Sequence, residues 1–200
     1  MKITAMVTMA AAVGMTAWAG ENGQTERRVT VCMEAIQPAV YAARAVASKM
    51  FAGIGVMIEW RRDWRSCPAE GILLRFSTNT PEKRLPGALA YALPYEGVHI
   101  DVFYDRVQKM VDSTTMPFLV AHVLVHEITH ILQGISRHSN TGIMKANWTG
   151  GDFGEMTYKP LPFAPVDIEL LYRGLHARAS RLAAGTQLAT GSTPATVSAQ

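Results

Sequence analysis

Cysteine is scarce in this chain. Its 200 residues include only Cys32 and Cys67, and the two have neither the CxxC spacing of a redox pair nor that of a zinc knuckle. Charge of one sign is also missing: 19 Lys and Arg against 16 Asp and Glu leave a formal +3. No basic stripe with interleaved aromatics stands out, so nothing argues for a nucleic-acid partner. There is no internal repeat, which excludes solenoid and propeller architectures. No apolar run reaches the ~20 residues of a membrane span.

The apolar stretch that comes nearest lies at the amino end. Met1-Lys2 is followed by Ile3 to Ala12 and then by Val13 to Ala19, with small residues at Ala17 and Ala19. A basic start, an apolar centre and small residues before a cut describe a secretory signal peptide, here residues 1–19 with cleavage before Gly20. An uncleaved anchor is the competing reading. Cleavage removes one lysine and no acid, so the charge becomes 3 − 1 = +2. The expected setting is secreted or periplasmic, without stable membrane association after cleavage. In that setting an even pair of cysteines reads first as a disulfide between Cys32 and Cys67. Its loop closure would contribute roughly 3–4 kcal/mol. Two free buried thiols are the alternative.

The length suggests one domain, expected to be monomeric, spanning residues 20–183. Residues 184–200, rich in Ala, Gly, Ser, Thr and Gln, read as a disordered tail. Strand-like segments are Arg28–Met33, Val56–Arg61, Ile72–Ser77, Ala88–Leu93 and Gly97–Tyr104. Helical spacing runs from Ala35 to Met50, from Pro117 to Gly134, and from Pro165 to Leu182 with Ile168, Leu171, Tyr172 and Leu175 as its buried stripe. Asp105 to Asp112 is a short helix or loop, and glycine-rich residues 135–164 read as mostly irregular. A strand, a crossover helix and a parallel neighbour open the fold in α/β manner. The class is α+β: a twisted mixed sheet of about five strands on two long helices, with an irregular lower subdomain and a C-terminal helix.

The chemistry gathers in His126-Glu127-Ile128-Thr129-His130. Histidines four apart share one face of a helix, so both imidazoles reach one metal at about 2.0–2.1 Å. Glu127 then stands beside the open position of a zinc ion, where it can take a proton from bound water. A catalytic zinc needs a third protein ligand. His138 is the first candidate, because it follows the Gly134 turn and a chain reversed there returns under the metal. Asp152, Glu155 and Glu169 compete as carboxylate donors. His122, one turn before His126, reads as a supporting or rim residue. His99 reads as structural and His176 as part of a solvated face. Trp60, Trp64 and Trp148 read as core or cleft wall, Trp148 lying nearest the motif.

His126-Glu-Ile-Thr-His130, Gly134, His138-Ser139 and Gly142-Ile143-Met144 together resemble the metzincin clan of zinc endopeptidases, and within it the matrixins. The resemblance implies Zn2+ held by His126, His130 and His138, Glu127 as general base, and Met144 in a methionine turn beneath the metal. It also implies that Leu89 to Phe103 contains the substrate edge strand, with Ala88, Leu89, Ala90 and Tyr91 alongside an extended protein or peptide substrate. The motifs cover roughly residues 88–148. Two departures stand out. The step from His130 to His138 is longer than the family's, and Ala146 occupies a place where some relatives carry a tyrosine, leaving Tyr158 as the nearby substitute. The implied activity is metalloendopeptidase. The alternatives are a catalytically silent zinc-binding protein of the same fold, with a fourth protein ligand closing the metal, and an HExxH hydrolase with a carboxylate third ligand.

Overall fold

The computed structural model describes residues 27–34 and 37–190, the last six by backbone alone. The signal peptide read at 1–19 lies outside the described residues. The described chain runs β1 (Arg28–Met33), α1 (Pro38–Ala52), β2 (Met57–Arg61), β3 (Ile72–Ser77), β4 (Ala90–Ala92), β5 (His99–Phe103), α2 (Tyr104–Met110), α3 (Met116–Gln133), α4 (Gly150–Tyr158) and α5 (Pro165–Thr190).

The strands form one mixed sheet in the order β2-β1-β3-β5-β4. β1 pairs in parallel with both β2 and β3, and β3 with β5. Only β4 is antiparallel, pairing Ala90 with Val102 and Ala92 with Ile100. This is the α+β architecture expected, with β4 as an edge strand. In the strand register the side chains of Ala90 and Ala92 point inward and that of Tyr91 outward. Alanine is small enough to let this edge come close to α3, against which it packs.

α3 is the centre of the molecule. Every residue from Leu119 to Gln133 is buried, as expected of a helix apolar nearly all round. α1, β4, β5, α4 and α5 all pack on it. Pro117 sits in its first turn, and Gly134 closes it in the left-handed conformation, φ 70° and ψ 19°. At its C-terminal end α5 crosses it closely. A Cβ on Gly174 would lie 1.8 Å from the Leu132 carbonyl oxygen, so only glycine allows this crossing. Cys32, fully buried on β1, is joined to Cys67 in the β2–β3 connection by a disulfide with Cα atoms 5.9 Å apart.

Besides shifts of one to three residues at other ends, three differences from the sequence expectation stand out. Residues 135–164 contain a nine-residue helix, α4, where irregular chain was expected. Three glycines at 150, 151 and 154 disguise it, but a reciprocal cap between Thr149 and Asp152 starts it. α5 continues to Thr190 instead of stopping near Leu182, so the first part of the expected tail is helical. Ala183 and Ala184 favour that continuation, and no proline intervenes before Pro194. β4 is shorter than Ala88–Leu93 because its pairing with β5 is limited to three residues.

Gly174→Ala is expected to destabilise the protein by about 3 kcal/mol, since two helix backbones must separate. Urea unfolding monitored by circular dichroism checks this, and an unchanged midpoint would contradict the crossing geometry.

Candidate metal centre

α3 presents His126 and His130 one turn apart, and the chain reversed at Gly134 returns with His138. The Nε2 atoms of His126 and His130 are 3.1 Å apart, and those of His130 and His138 are 3.3 Å apart. Nitrogens bound to one tetrahedral metal at 2.0–2.1 Å would be separated by about 3.3 Å. Among the described residues these three histidines form the one group of this kind, with all ligand atoms within 4.8 Å of one another.

The opposite ring nitrogens are already committed. His126 Nδ1 donates to the Ile143 carbonyl at 2.8 Å, and His130 Nδ1 to the Ile135 carbonyl at 3.1 Å. Each bond fixes the tautomer that leaves the Nε2 lone pair free for a metal. Burial pushes His126 down to about 3 and His130 down to about 4, and lowers His138 as well. All three are therefore neutral near pH 7, the form that ligates. The donor set fits a divalent metal that prefers imidazole.

The long step from His130 to His138 is held by a buried carboxylate that sequence reading did not identify. Asp167, on the first turn of α5 and fully buried, accepts from Arg137 at 3.0 Å and from the Ser139 hydroxyl at 2.6 Å through the same oxygen. Its carbonyl accepts from the Gln133 side chain at 3.1 Å. One residue thus ties the end of α3 to both neighbours of His138. The other side of the loop is tied by the Ser139 N–H, which donates to the Met144 carbonyl at 2.7 Å. Met144 is fully buried, and Ile143 beside it supplies the carbonyl on His126.

The competing donors are engaged elsewhere. Asp152 holds Lys145 with both carboxylate oxygens and caps α4. Glu169 pairs with Arg173 on the exposed side of α5, and Glu155 belongs to no metal-ligand group among the described residues. His122 donates from Nδ1 to the Phe118 carbonyl and accepts the Leu161 N–H at Nε2, so it fastens the approach to α5 and is no ligand. Tyr158 does not reach the centre: it is 92% exposed and does not line the cleft.

A cleft of about 490 Å³ opens over the histidines. One wall is Ala88, Leu89, Ala90, Tyr91 and Ala92, and another includes Trp148 and Phe153. Trp148 meets the His126 ring edge to face at 5.5 Å. Glu127 faces the same cleft from α3. Its burial pushes the carboxyl up to about 8, opposed by a hydrogen bond from the Ala92 main chain. A cation at the neighbouring histidines would pull it down again. The part played by Ala92 was not legible, because a main-chain donor leaves no mark in a sequence.

No family model matches this chain, and no curated protein does either. Among solved structures it is similar to archaemetzincin from Methanopyrus kandleri, with a TM-score of 0.56 and 15% identity, over 79% of this chain and 99% of that one. The likeness establishes a zincin-like fold. The narrower matrixin resemblance rests on the residues alone.

Removing the Asp167 tie while leaving all three histidines in place is expected to weaken metal retention by about 10–100-fold. Asp167→Ala, compared with wild type by chelator competition, checks this. Unchanged retention would mean that His138 needs no such support.

Proposed function

We propose that this chain is a secreted zinc-dependent endopeptidase. The observation that carries the reading is the convergence of three imidazole Nε2 atoms in a cleft that also holds a buried glutamate and a strand edge unpaired among the described residues. His126, His130 and His138 would hold the metal, and three protein ligands beside an open cleft suit a catalytic zinc. When bound, zinc supplies Lewis-acid polarisation of the scissile carbonyl and a more acidic water.

The chain's own groups do the rest. Glu127 takes the proton of the attacking water and passes it to the departing amine. The Ala92 main chain steadies that carboxylate from the strand side. On β4, the Leu89 carbonyl accepts from Phe103 N–H and the Leu93 N–H donates to the His99 carbonyl. Alternation along an antiparallel strand then turns the main-chain groups of Ala90 and Ala92 away from β5, toward the cleft. An extended peptide can add there as a further strand, which aligns its scissile bond beside Glu127 and the histidines. Apolar Trp148, Phe153 and Val123 on the other walls would receive its side chains.

Export is supported by residues 1–19 and by the Cys32–Cys67 disulfide, a bond that persists in oxidising compartments. Among the described residues no helix is long and apolar enough to cross a membrane.

Glu127→Ala is expected to keep its zinc and to lose about 10²–10⁴-fold in kcat on an unstructured protein substrate. Metal analysis beside a cleavage assay checks both. Wild-type protein without zinc, or Glu127→Ala with full activity, would overturn the proposal.

A further inference from the structure

The connection between β3 and β4 carries no regular structure, yet it is held at many points. The first turn of α2 does the holding. Asp105 accepts from the Thr80 N–H at 3.1 Å and from the Thr80 hydroxyl at 2.7 Å. Arg106 then gathers main-chain carbonyls from the rest of the loop. Its Nη1 donates to Leu85 at 2.7 Å and Ala88 at 2.9 Å, and its Nη2 to Pro81 at 3.1 Å and Arg84 at 2.5 Å.

These bonds account for the four Nη hydrogens of one guanidinium. The planar fork also lies over the fully buried Phe103 ring, 4.7 Å from its centroid. Carbonyls directed at a common point repel one another unless a cation sits among them, and a delocalised cation with several fixed donors suits the task. The backbone conforms to that centre. Leu85 has φ 45°, the one positive value at a non-glycine residue among those described, and Gly87 follows at φ 79°.

The held loop ends where the cleft begins. Ala88 is bound to Arg106 through its carbonyl and lines the cleft, and the next residue, Leu89, is fixed to Phe103. We infer that Arg106 is a positioning residue for the substrate-binding edge: its guanidinium, acting through the loop carbonyls, holds the segment 88–92 that ends in β4 at the distance from α3 that an added peptide strand requires. The part of this inference that concerns peptide capture rests on the endopeptidase reading. Arg106 itself does not belong to the metal centre and touches no reacting atom.

The test compares wild type with Arg106→Lys, Arg106→Gln and Arg84→Ala. Lysine keeps the charge but offers donors from one tetrahedral nitrogen, so it cannot reproduce the fork. Arg84→Ala removes the 2.6 Å ion pair with Asp101 and the outer stack on Phe103, and leaves the carbonyl held by Arg106 in place. Two readouts are needed: KM and kcat on an extended peptide, and amide exchange of residues 81–92.

For Arg106→Lys, KM is expected to rise about tenfold with kcat and zinc content unchanged. Exchange at 81–92 should quicken by at least about tenfold while α3 keeps its protection. Arg106→Gln should go further in the same direction, and Arg84→Ala should stay within about twofold of wild type on both measures. A folded Arg106→Lys with wild-type exchange at 81–92 overturns the inference whether or not the protein cleaves peptides. Faster exchange with unchanged KM removes the link to substrate and leaves the endopeptidase reading intact. If wild type cleaves no peptide, the endopeptidase reading fails with the capture step, and the exchange data alone decide whether Arg106 holds the strand.

Discussion

The structure depends on one reversal of the chain. α3 is buried along almost its whole length and ends at a glycine in the left-handed conformation, from which the backbone must return quickly enough to bring His138 under His126 and His130. A rigid helix alone supplies two imidazoles on one face and the neighbouring carboxylate. Only the returning segment supplies the third. Gly134 makes the turn sterically possible, and Asp167 makes it stay, by holding Arg137 and Ser139 on either side of the histidine. Because Asp167 stands on α5, the docking of α5 across the end of α3 at Gly174 becomes part of the candidate metal centre.

The rest of the molecule supports that constraint from other directions. The Ile143 carbonyl orients His126 from the loop that carries Met144, and the Ile135 carbonyl orients His130 from just past the turn. His122 secures the chain entering α5 through the Leu161 N–H. On the opposite wall, two alanines let the edge strand lie close to α3, and the main chain of Ala92 meets Glu127. The three histidines, the candidate base and the strand edge thus belong to one packed unit.

Much of this was legible in the sequence because it is local. The spacing of His126 and His130, the proline opening α3 and the glycine closing it are read from consecutive residues, and the alternation of the strands is equally short-range. That His138 comes beside the two helix histidines was legible through its position relative to that helix. What escaped has a common physical cause. The roles of Asp167 and Arg106 exist only after distant segments dock, and the partners of Arg106 are carbonyls, which every residue possesses. Helix α4 was hidden by glycines whose low propensity was overridden by a cap and by packing against α3. Tyr158, near in sequence, is carried to the exposed end of α4, so closeness along the chain did not become closeness to the metal.

Whether a metal held by these histidines would hydrolyse peptides or merely be held turns on its fourth position. The carboxylates that could have closed it are committed, Asp152 to Lys145 and Glu169 to Arg173, and the side facing β4 is open cleft. A crystal structure of the zinc-loaded protein tests this most directly. Zinc is expected to be bound by Nε2 of His126, His130 and His138 at about 2.0–2.1 Å, with solvent in the fourth position on the Glu127 side. A fourth protein donor in that position, or a metal held without His138, would contradict it.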